Sequence, residues 1–366
     1  MRRILILTNG PGELWCWARP MIKALSMSGF EVALSLLPCQ YAAGNESDIA
    51  RGFAAGDVRP PMSVFGALAR KDGGPFSAIL QMGGDLLFGL AFSARHSAPL
   101  FCYTYGSKPL LGKCEVVFAA FADHFHQGFP TGDNVIVAGD LVADSLDMDG
   151  PGFSWSEGKE FRVVLFPGSR RAIRAAAMPF IKGISDGIAR ELPKAEMIVA
   201  LSPFSDGEEV TQWQSAGMRI STAPAGSLLR EADLAVTQPG TNTLELAYSL
   251  TPGIIVLPFS FLRHVPLSGF LGVLGGIPFA GPIFKEKALR LRSRKRGFLA
   301  WPNRLAGTEV MPELVGDLSA EDIAGYAAGL LKDRNRRESI RTGLEKIRQV
   351  PGPAGFIAGL IDEFVG

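Results

Sequence analysis

The stretch "RVVLFPGSRRAIRAAAMPF", residues 162–180, reads as a buried strand that breaks at Pro167-Gly168 and meets two arginines at the mouth of a helix. The run 162–167 is short and apolar, the Pro-Gly pair lets the backbone turn sharply, and the alanine-rich sequence beyond it favours a helix. A second stretch, "ADLAVTQPGTNTLELAYSLTPGIIVLP" (232–258), repeats the order of strand, Gly-Thr turn and helix. Strands alternating with helices build right-handed βαβ units on a parallel sheet, whose ligands bind beyond the carboxyl ends of the strands. Both turns occupy that position.

The same grammar extends in both directions. Strands are expected at 162–167, 196–202, 218–222, 233–237 and 253–257 in the second half. In the first half they are expected at 4–8, 31–37, 77–82, 99–105, 115–120 and 134–138, with a helix after residue 13 and another through 85–96. Between the halves, "DMDGPGFSWSEGKE" (147–160) breaks the periodicity and reads as a linker. Residues 319–366 look helical, interrupted by the "PGP" at 351–353. The expected architecture is α/β with two Rossmann-like domains. The first covers 1–146 and is joined by a terminal helix at about 351–366; the second covers 161–350.

Bulk properties narrow the function classes. A chain of 366 residues exceeds one comfortable core. With 37 Lys+Arg against 36 Asp+Glu, the net charge of +1 argues against a nucleic-acid partner. Cys16, Cys39, Cys102 and Cys114 form no CxxC pair and read as reduced thiols of a cytoplasmic protein. "MRRILILTNG" is too short in its apolar part for a signal peptide and suits a first strand. The uncharged run 265–284 approaches spanning length, but its five Gly and three Pro suit an apolar surface segment better than a lone helix in lipid. A Lys/Arg-rich stretch, 285–296, follows it, and the pair fits docking on an anionic membrane surface; a strand followed by a solvated helix is the plainer reading.

The turns carry the chemistry. In "FPGSRR", Gly168 gives the bend, Ser169 is expected to cap the helix, and the free amides at the helix start attract an anion that Arg170 can grip. An ordinary turn with two solvated arginines has the same sequence. In "QPGTNTLEL", Gly240, Thr241 and Asn242 open a helix toward the same anion, and Glu245, one turn in, can accept both hydroxyls of a ribose. Its alternative is a surface glutamate. No GxGxxG or Walker loop is present. In the first half Glu13 and Asp85 each follow a strand at a helix start, as an acid/base pair would, or as residues that merely serve the helix ends. His124 and His126, two apart with no third ligand, make a poor metal site, and His264 borders the apolar run.

These motifs resemble those of the lipid-A-disaccharide synthases, inverting glycosyltransferases of GT-B fold, two Rossmann-like domains facing a cleft. "LFPGSRRAIRAAAMPF" is similar to that family's PGSR segment, "QPGTNTLELAYSLTPGIIV" to its SGT-x-TLE-A segment, and "WPNRLAGTEVMPELVGD" (301–317) to its PN-x-LAG…VPE-L signature. In the first half "GPGE", "MGGDLLF" and "VAGDLVADSL" are similar to its first loop, its essential-aspartate stretch and its GHPLVD segment. Two departures stand out: Leu14-Trp15-Cys16 replaces a Ser-Gly-Asp string, and Asp140 replaces the histidine of GHPLVD.

The resemblance implies a UDP-sugar in the second domain, with Gly168, Ser169, Arg170, Gly240 and Thr241 around the diphosphate and Glu245 on the ribose. Asn303 and Glu313 would complete the donor site. Asp85 would be the base toward a lipid-linked sugar acceptor, with Glu13 orienting the acceptor or sharing that role. The donor would be a glucosamine-type, acylated sugar; no cofactor and no metal are expected, in keeping with the missing DxD motif. A peripheral location at the inner face of the cytoplasmic membrane follows, and a homodimer is compatible. A UDP-sugar epimerase and a non-catalytic binding paralogue are the competing readings.

Overall fold

A computed structural model describes residues 2–39, 42, 44–53, 56–70, 75–122, 132–150, 152–259 and 297–366. His124, His126, His264, the apolar run 265–284 and the basic stretch 285–296 lie outside the described residues. The chain divides into two units, Met1–Met148 with Gln349–Gly366, and Asp149–Arg348.

Among the described residues the first unit is a seven-stranded parallel sheet. Its strands are β1 (Arg3–Thr8), β2 (Glu31–Leu36), β3 (Asp57–Arg59), β4 (Ala78–Met82), β5 (Leu100–Thr104), β6 (Val116–Ala119) and β7 (Val135–Val137). The spatial order is β3-β2-β1-β4-β5-β6-β7. Strands β1, β4 and β5 are almost wholly buried, as apolar runs covered on both faces must be. Helices α1 (Pro11–Glu13), α2 (Arg19–Met27), α3 (Glu46–Arg51), α4 (Ser63–Arg70), α5 (Leu86–His96) and α6 (Leu141–Asp147) supply the connections. Between α1 and α2 the helix widens into a π turn, Leu14–Ala18, where the Arg19 amide donates to the Leu14 carbonyl. Ser145 of α6 donates to the Trp15 carbonyl at 3.3 Å, satisfying a group of that altered ladder from outside. Such π turns concentrate near functional sites.

The second unit is a six-stranded parallel sheet among the described residues. Its strands are β8 (Phe161–Leu165), β9 (Ala195–Ala200), β10 (Ile220–Ser221), β11 (Leu234–Thr237), β12 (Gly253–Pro258) and β13 (Glu313–Gly316). They lie in the order β10-β9-β8-β11-β12-β13. The helices are α7 (Arg171–Glu191), α8 (Gly207–Ser215), α9 (Ala225–Leu229), α10 (Asn242–Tyr248), α11 (Trp301–Ala306), α12 (Ala320–Lys332) and α13 (Arg334–Glu345). The Gly/Pro-rich segment is laid on this unit: the Asp149 carboxylate accepts from the Gly226 amide at 2.9 Å, and the Phe153 amide donates to the Ser227 carbonyl at 2.8 Å. The terminal helix α14 (Pro353–Val365) belongs to the first unit. Asp144 of α6 accepts from the amides of Gly352 and Ala354 at 2.8 and 3.1 Å, and Phe364 meets Phe101 edge-on at 5.6 Å.

Two strands, β3 and β13, were not among those expected from the sequence. Both are short edge strands without a fully buried run, so neither carries the apolar signature of an interior strand.

Candidate functional site

In the second sheet the chain leaves β8 toward β9 on one side and returns to β11 on the other, so a crevice opens at the carboxyl ends of β8 and β11. The two turns quoted above flank it. The Phe166 amide donates to the Val236 carbonyl at 2.8 Å, and the Gln238 side-chain amide donates to the Pro167 carbonyl at 3.0 Å, joining the turns directly. Gly168 has φ +114°, and a Cβ there would lie 2.9 Å from Ile173 Cγ2 and 3.3 Å from Gln238 Oε1. Backbone conformation and crowding both demand glycine.

Ser169 does not cap α7. The helix starts one residue later than the sequence suggests, with Arg170 at the N-cap making no side-chain cap hydrogen bond. Ser169 is exposed and Arg170 half-buried at that uncapped helix start. The three neighbouring arginines have different tasks. Arg171 reaches out to Asp206 and Glu208 at 2.5 and 2.9 Å. Arg174, 2% exposed, forms a bidentate pair with Glu209 of α8 at 2.6 and 2.7 Å and donates to the Ser169 carbonyl at 2.8 Å. The turn is thus braced from behind by a buried ion pair.

On the other side of the crevice Thr241 is the N-cap of α10 and Asn242 its first residue. Thr243 donates to the Gly240 carbonyl at 2.7 Å and accepts from the Trp301 amide at 3.2 Å. Glu245 is 7% exposed, which rules out the surface glutamate. Asn303 is fully buried: its amide donates to the Met311 carbonyl at 2.7 Å and to Glu313 at 2.8 Å, and its oxygen accepts from the amides of Val310 and Met311 at 2.8 and 2.9 Å. All its hydrogen-bonding positions are used within the chain. Glu313, the first residue of β13, accepts from the Leu299 and Ala300 amides at 2.9 Å each, capping the approach to α11. The two residues expected to touch the donor therefore brace the segment that packs on α10.

The first sheet has its crevice between the carboxyl ends of β1 and β4. Asn9, Gly10 and α1 follow β1, and the turn Gly83–Asp85 follows β4. Gly83 and Gly84 have φ +116° and +70°, and a Cβ on Gly83 would lie 2.6 Å from Asn9 Oδ1 and 3.2 Å from Glu13 Cγ. The two candidate carboxylates ride on interlocked turns. Asp85 is exposed and caps α5, accepting from the Leu87 amide at 3.0 Å; Glu13 is half-buried against Gly83. Among the described residues no group of three or more His, Cys, Asp and Glu side chains is gathered for a metal, and no helix is long and apolar enough to cross a membrane.

Comparisons with known proteins bear on the fold and on the family the chain resembles. No protein-family model matches the chain. Among curated proteins it is 28% identical over 213 residues to a lipid-A-disaccharide synthase of Geobacter sulfurreducens, covering 56% of this chain and 50% of the relative. It is 26% identical over 230 residues to the lipid-A-disaccharide synthase of Trichlorobacter lovleyi, covering 61% and 54%. The chain resembles the lipid-A-disaccharide synthases. It spans about half the length of the curated relatives it matches. The solved structure of CalG4, the calicheamicin glycosyltransferase, superposes with a TM-score of 0.60 at 14% identity, over 100% of this chain and 98% of that one. The S. aureus MnaA–UDP structure gives 0.58 at 13%, over 100% and 96%, and a UDP-N-acetylglucosamine 2-epimerase gives 0.55 at 12%, over 100% and 95%. The fold is GT-B.

The π turn that holds Leu14-Trp15-Cys16 and the Asp140 cap of α6 are joined by hydrogen bonds and ring contacts. Asp140 is fully buried, caps α6 through the Val142 amide at 3.1 Å, and accepts from Tyr105 at 2.6 Å and Tyr103 at 3.4 Å. Trp17 of the π turn donates to the Tyr105 hydroxyl at 3.3 Å and packs on Tyr103 and Tyr105 at 5.2 and 4.8 Å. Burial, then the Asp140 carboxylate, hold the Tyr103 hydroxyl well above its ordinary pKa, so it remains a donor. Arg19 completes the wall, 4.1 Å over the Trp15 ring and bonded to Ser145 at 2.6 and 2.8 Å.

Proposed function

We propose that the protein is an inverting glycosyltransferase that moves a glucosamine-type, acylated sugar from a UDP-sugar to a lipid-linked sugar acceptor, the chemistry by which the lipid-A-disaccharide synthases are named. The observation that carries this reading is the pair of strand–turn–helix sites at the crevice of the second sheet, joined by Gln238 and fronted by Arg170 at an uncapped helix start. Such a site suits a diphosphate. Amides near Gly168, Ser169, Gly240, Thr241 and Asn242 surround it, Glu245 takes the ribose, and Asn303 and Glu313 keep the α11 segment in place. The likeness to a UDP-bound structure supports UDP as the nucleotide.

In the reaction the first unit carries the acceptor. Its hydroxyl oxygen attacks the anomeric carbon, the bond to the UDP oxygen breaks with its electron pair, and the hydroxyl proton passes to Asp85. In-line displacement inverts the anomeric centre, and Arg170 neutralises charge on the departing UDP. Glu13 orients the acceptor. A lipid acceptor fits the exposed apolar side chains on segments that follow β3 and β4: Met62, Phe65 and Leu87 are 76, 54 and 59% exposed.

Arg170→Ala should weaken UDP binding by roughly 1.5–3 kcal/mol, the scale of a charged hydrogen bond. Calorimetric titration with UDP checks this, and unchanged affinity removes Arg170 from the site. The epimerase likeness sets the alternative. UDP release that depends on an added acylated glucosamine acceptor favours transfer, whereas 2-epimerisation of UDP-N-acetylglucosamine without acceptor favours the epimerase.

Peripheral attachment to the inner membrane face belongs to the same proposal, with 265–284 and the basic 285–296 as the docking segment. Each Lys or Arg near an anionic surface contributes about 1 kcal/mol. Flotation with phosphatidylglycerol vesicles should fall as salt rises; equal flotation with neutral vesicles would count against docking.

A further inference from the structure

Gln81 interrupts the apolar run "AILQM" of β4, where its neighbours Ile79, Leu80 and Met82 are fully buried, and it is itself fully buried. An amide in that position is costly unless its donors are used. They are. Its nitrogen donates to the Gly83 carbonyl at 2.6 Å and to the Asp85 carbonyl at 3.1 Å. Thr8 of β1, also fully buried, donates to the Met82 carbonyl at 2.9 Å. Two interior side chains thus draw the carbonyls of residues 82, 83 and 85 back toward the sheet.

The orientation of the amide is fixed by the same contacts, because a flip would set its oxygen against two carbonyl oxygens. Its own oxygen has no hydrogen-bond partner among the described residues. A Cβ at Gly89 of α5 would lie 2.5 Å from that oxygen, so a glycine in the helix makes room for the glutamine. A residue kept at this cost for its donors alone has a task beyond filling the core.

We propose that Gln81 is the positioning residue for Asp85: it fixes the Gly83–Asp85 turn so that the carboxylate leaves β4 at the head of α5. This rests on the reading of Asp85 as the base. Gln81 touches no substrate in this scheme; it acts through the backbone that carries Asp85. Two consecutive glycines with positive φ give the turn a permissive backbone, so its shape depends on the hydrogen bonds made to it.

The test is Gln81→Met, which keeps length and shape and removes both donors. Two measurements accompany it: hydrogen exchange at the Leu87 amide, the group bonded to the Asp85 carboxylate, and UDP release from an acylated UDP-glucosamine with an acylated glucosamine acceptor. The proposal expects exchange at Leu87 to quicken by about tenfold while Ile79 and Leu80 stay protected. It also expects turnover to fall by about tenfold to a hundredfold with unchanged UDP affinity and donor KM. Unchanged exchange at Leu87 overturns it, and so does faster exchange with full turnover. Faster exchange throughout β4 with a lowered melting temperature means a core role only and also overturns it. Asp85→Asn measured alongside separates the two levels: full turnover in that variant sinks the base, and with it the catalytic meaning of Gln81, even where Leu87 exchange has responded.

Discussion

Asp85→Asn is expected to lower turnover by about 10²–10⁴-fold, the usual contribution of a general base, and to leave UDP affinity unchanged. A sugar hydroxyl is too weakly acidic to attack an anomeric carbon without losing its proton, so the step depends on a carboxylate beside the acceptor. The substitution is clean because Asp85 also caps α5 through the Leu87 amide. Asparagine caps a helix about as well as aspartate, so the fold should barely register the change. In the proposed reading the second unit governs donor affinity, which serves as the internal control. Glu13→Gln is the matched comparison, since Glu13 packs against Gly83 of the same turn. Lost turnover in Glu13→Gln with near-normal turnover in Asp85→Asn would move the base to Glu13. Normal turnover in both variants with the true acceptor would remove the transferase mechanism.

The largest expected effect on stability is at Arg174. Replacing it with Met leaves the Glu209 carboxylate uncompensated at 3% exposure, and breaking a buried pair from one side typically costs about 3–5 kcal/mol. That is a large part of the roughly 5–15 kcal/mol that holds a domain folded. Replacing both partners with apolar residues, Arg174→Met with Glu209→Leu, should recover most of the loss, because neither charge then remains buried. The double variant still lacks the donor to the Ser169 carbonyl at 2.8 Å, so its UDP affinity should stay reduced while its melting temperature recovers. Calorimetric melting and UDP titration on the two variants read the two effects separately. A double variant as unstable as the single one would show that the ion pair is not the source of the loss. Full UDP affinity in the double variant would show that the brace does not shape the turn.

Much of this was legible before any coordinates. The inner strands are largely buried and bounded by turn residues, so their apolar runs announce them. The edge strands β3 and β13 are short and partly exposed, and their pairing is decided by neighbours rather than by their own composition. The turns at 167–171 and 238–243 were readable because glycine, proline and arginine punctuate them, and Gly168 is held there by φ and crowding alike. Which arginine of 170, 171 and 174 enters the interior was not readable, because Glu209 lies 35 residues from Arg174 and on another helix. Ser169 shows the limit of local rules: one residue of difference in the helix start removes it from the cap. Gln81 leaves a visible trace, a lone amide in an apolar strand, yet its task depends on where two carbonyls point.

The cluster of Trp17, Tyr103, Tyr105 and Asp140 has a consequence for any substitution within it. By the motif resemblance Asp140 replaces the histidine of GHPLVD, and its carboxylate accepts from the hydroxyls of both tyrosines. Changing Tyr105 alone would take a donor at 2.6 Å from the buried Asp140 carboxylate, and changing Asp140 alone would take that acceptor from Tyr105, at about 1–3 kcal/mol for an orphaned group, whereas Tyr103 would keep the Gly139 carbonyl at 3.3 Å. These positions are therefore epistatic: the residue tolerated at 140 depends on those at 17, 103 and 105, and a graft of the histidine motif into this chain has to carry its aromatic neighbours with it.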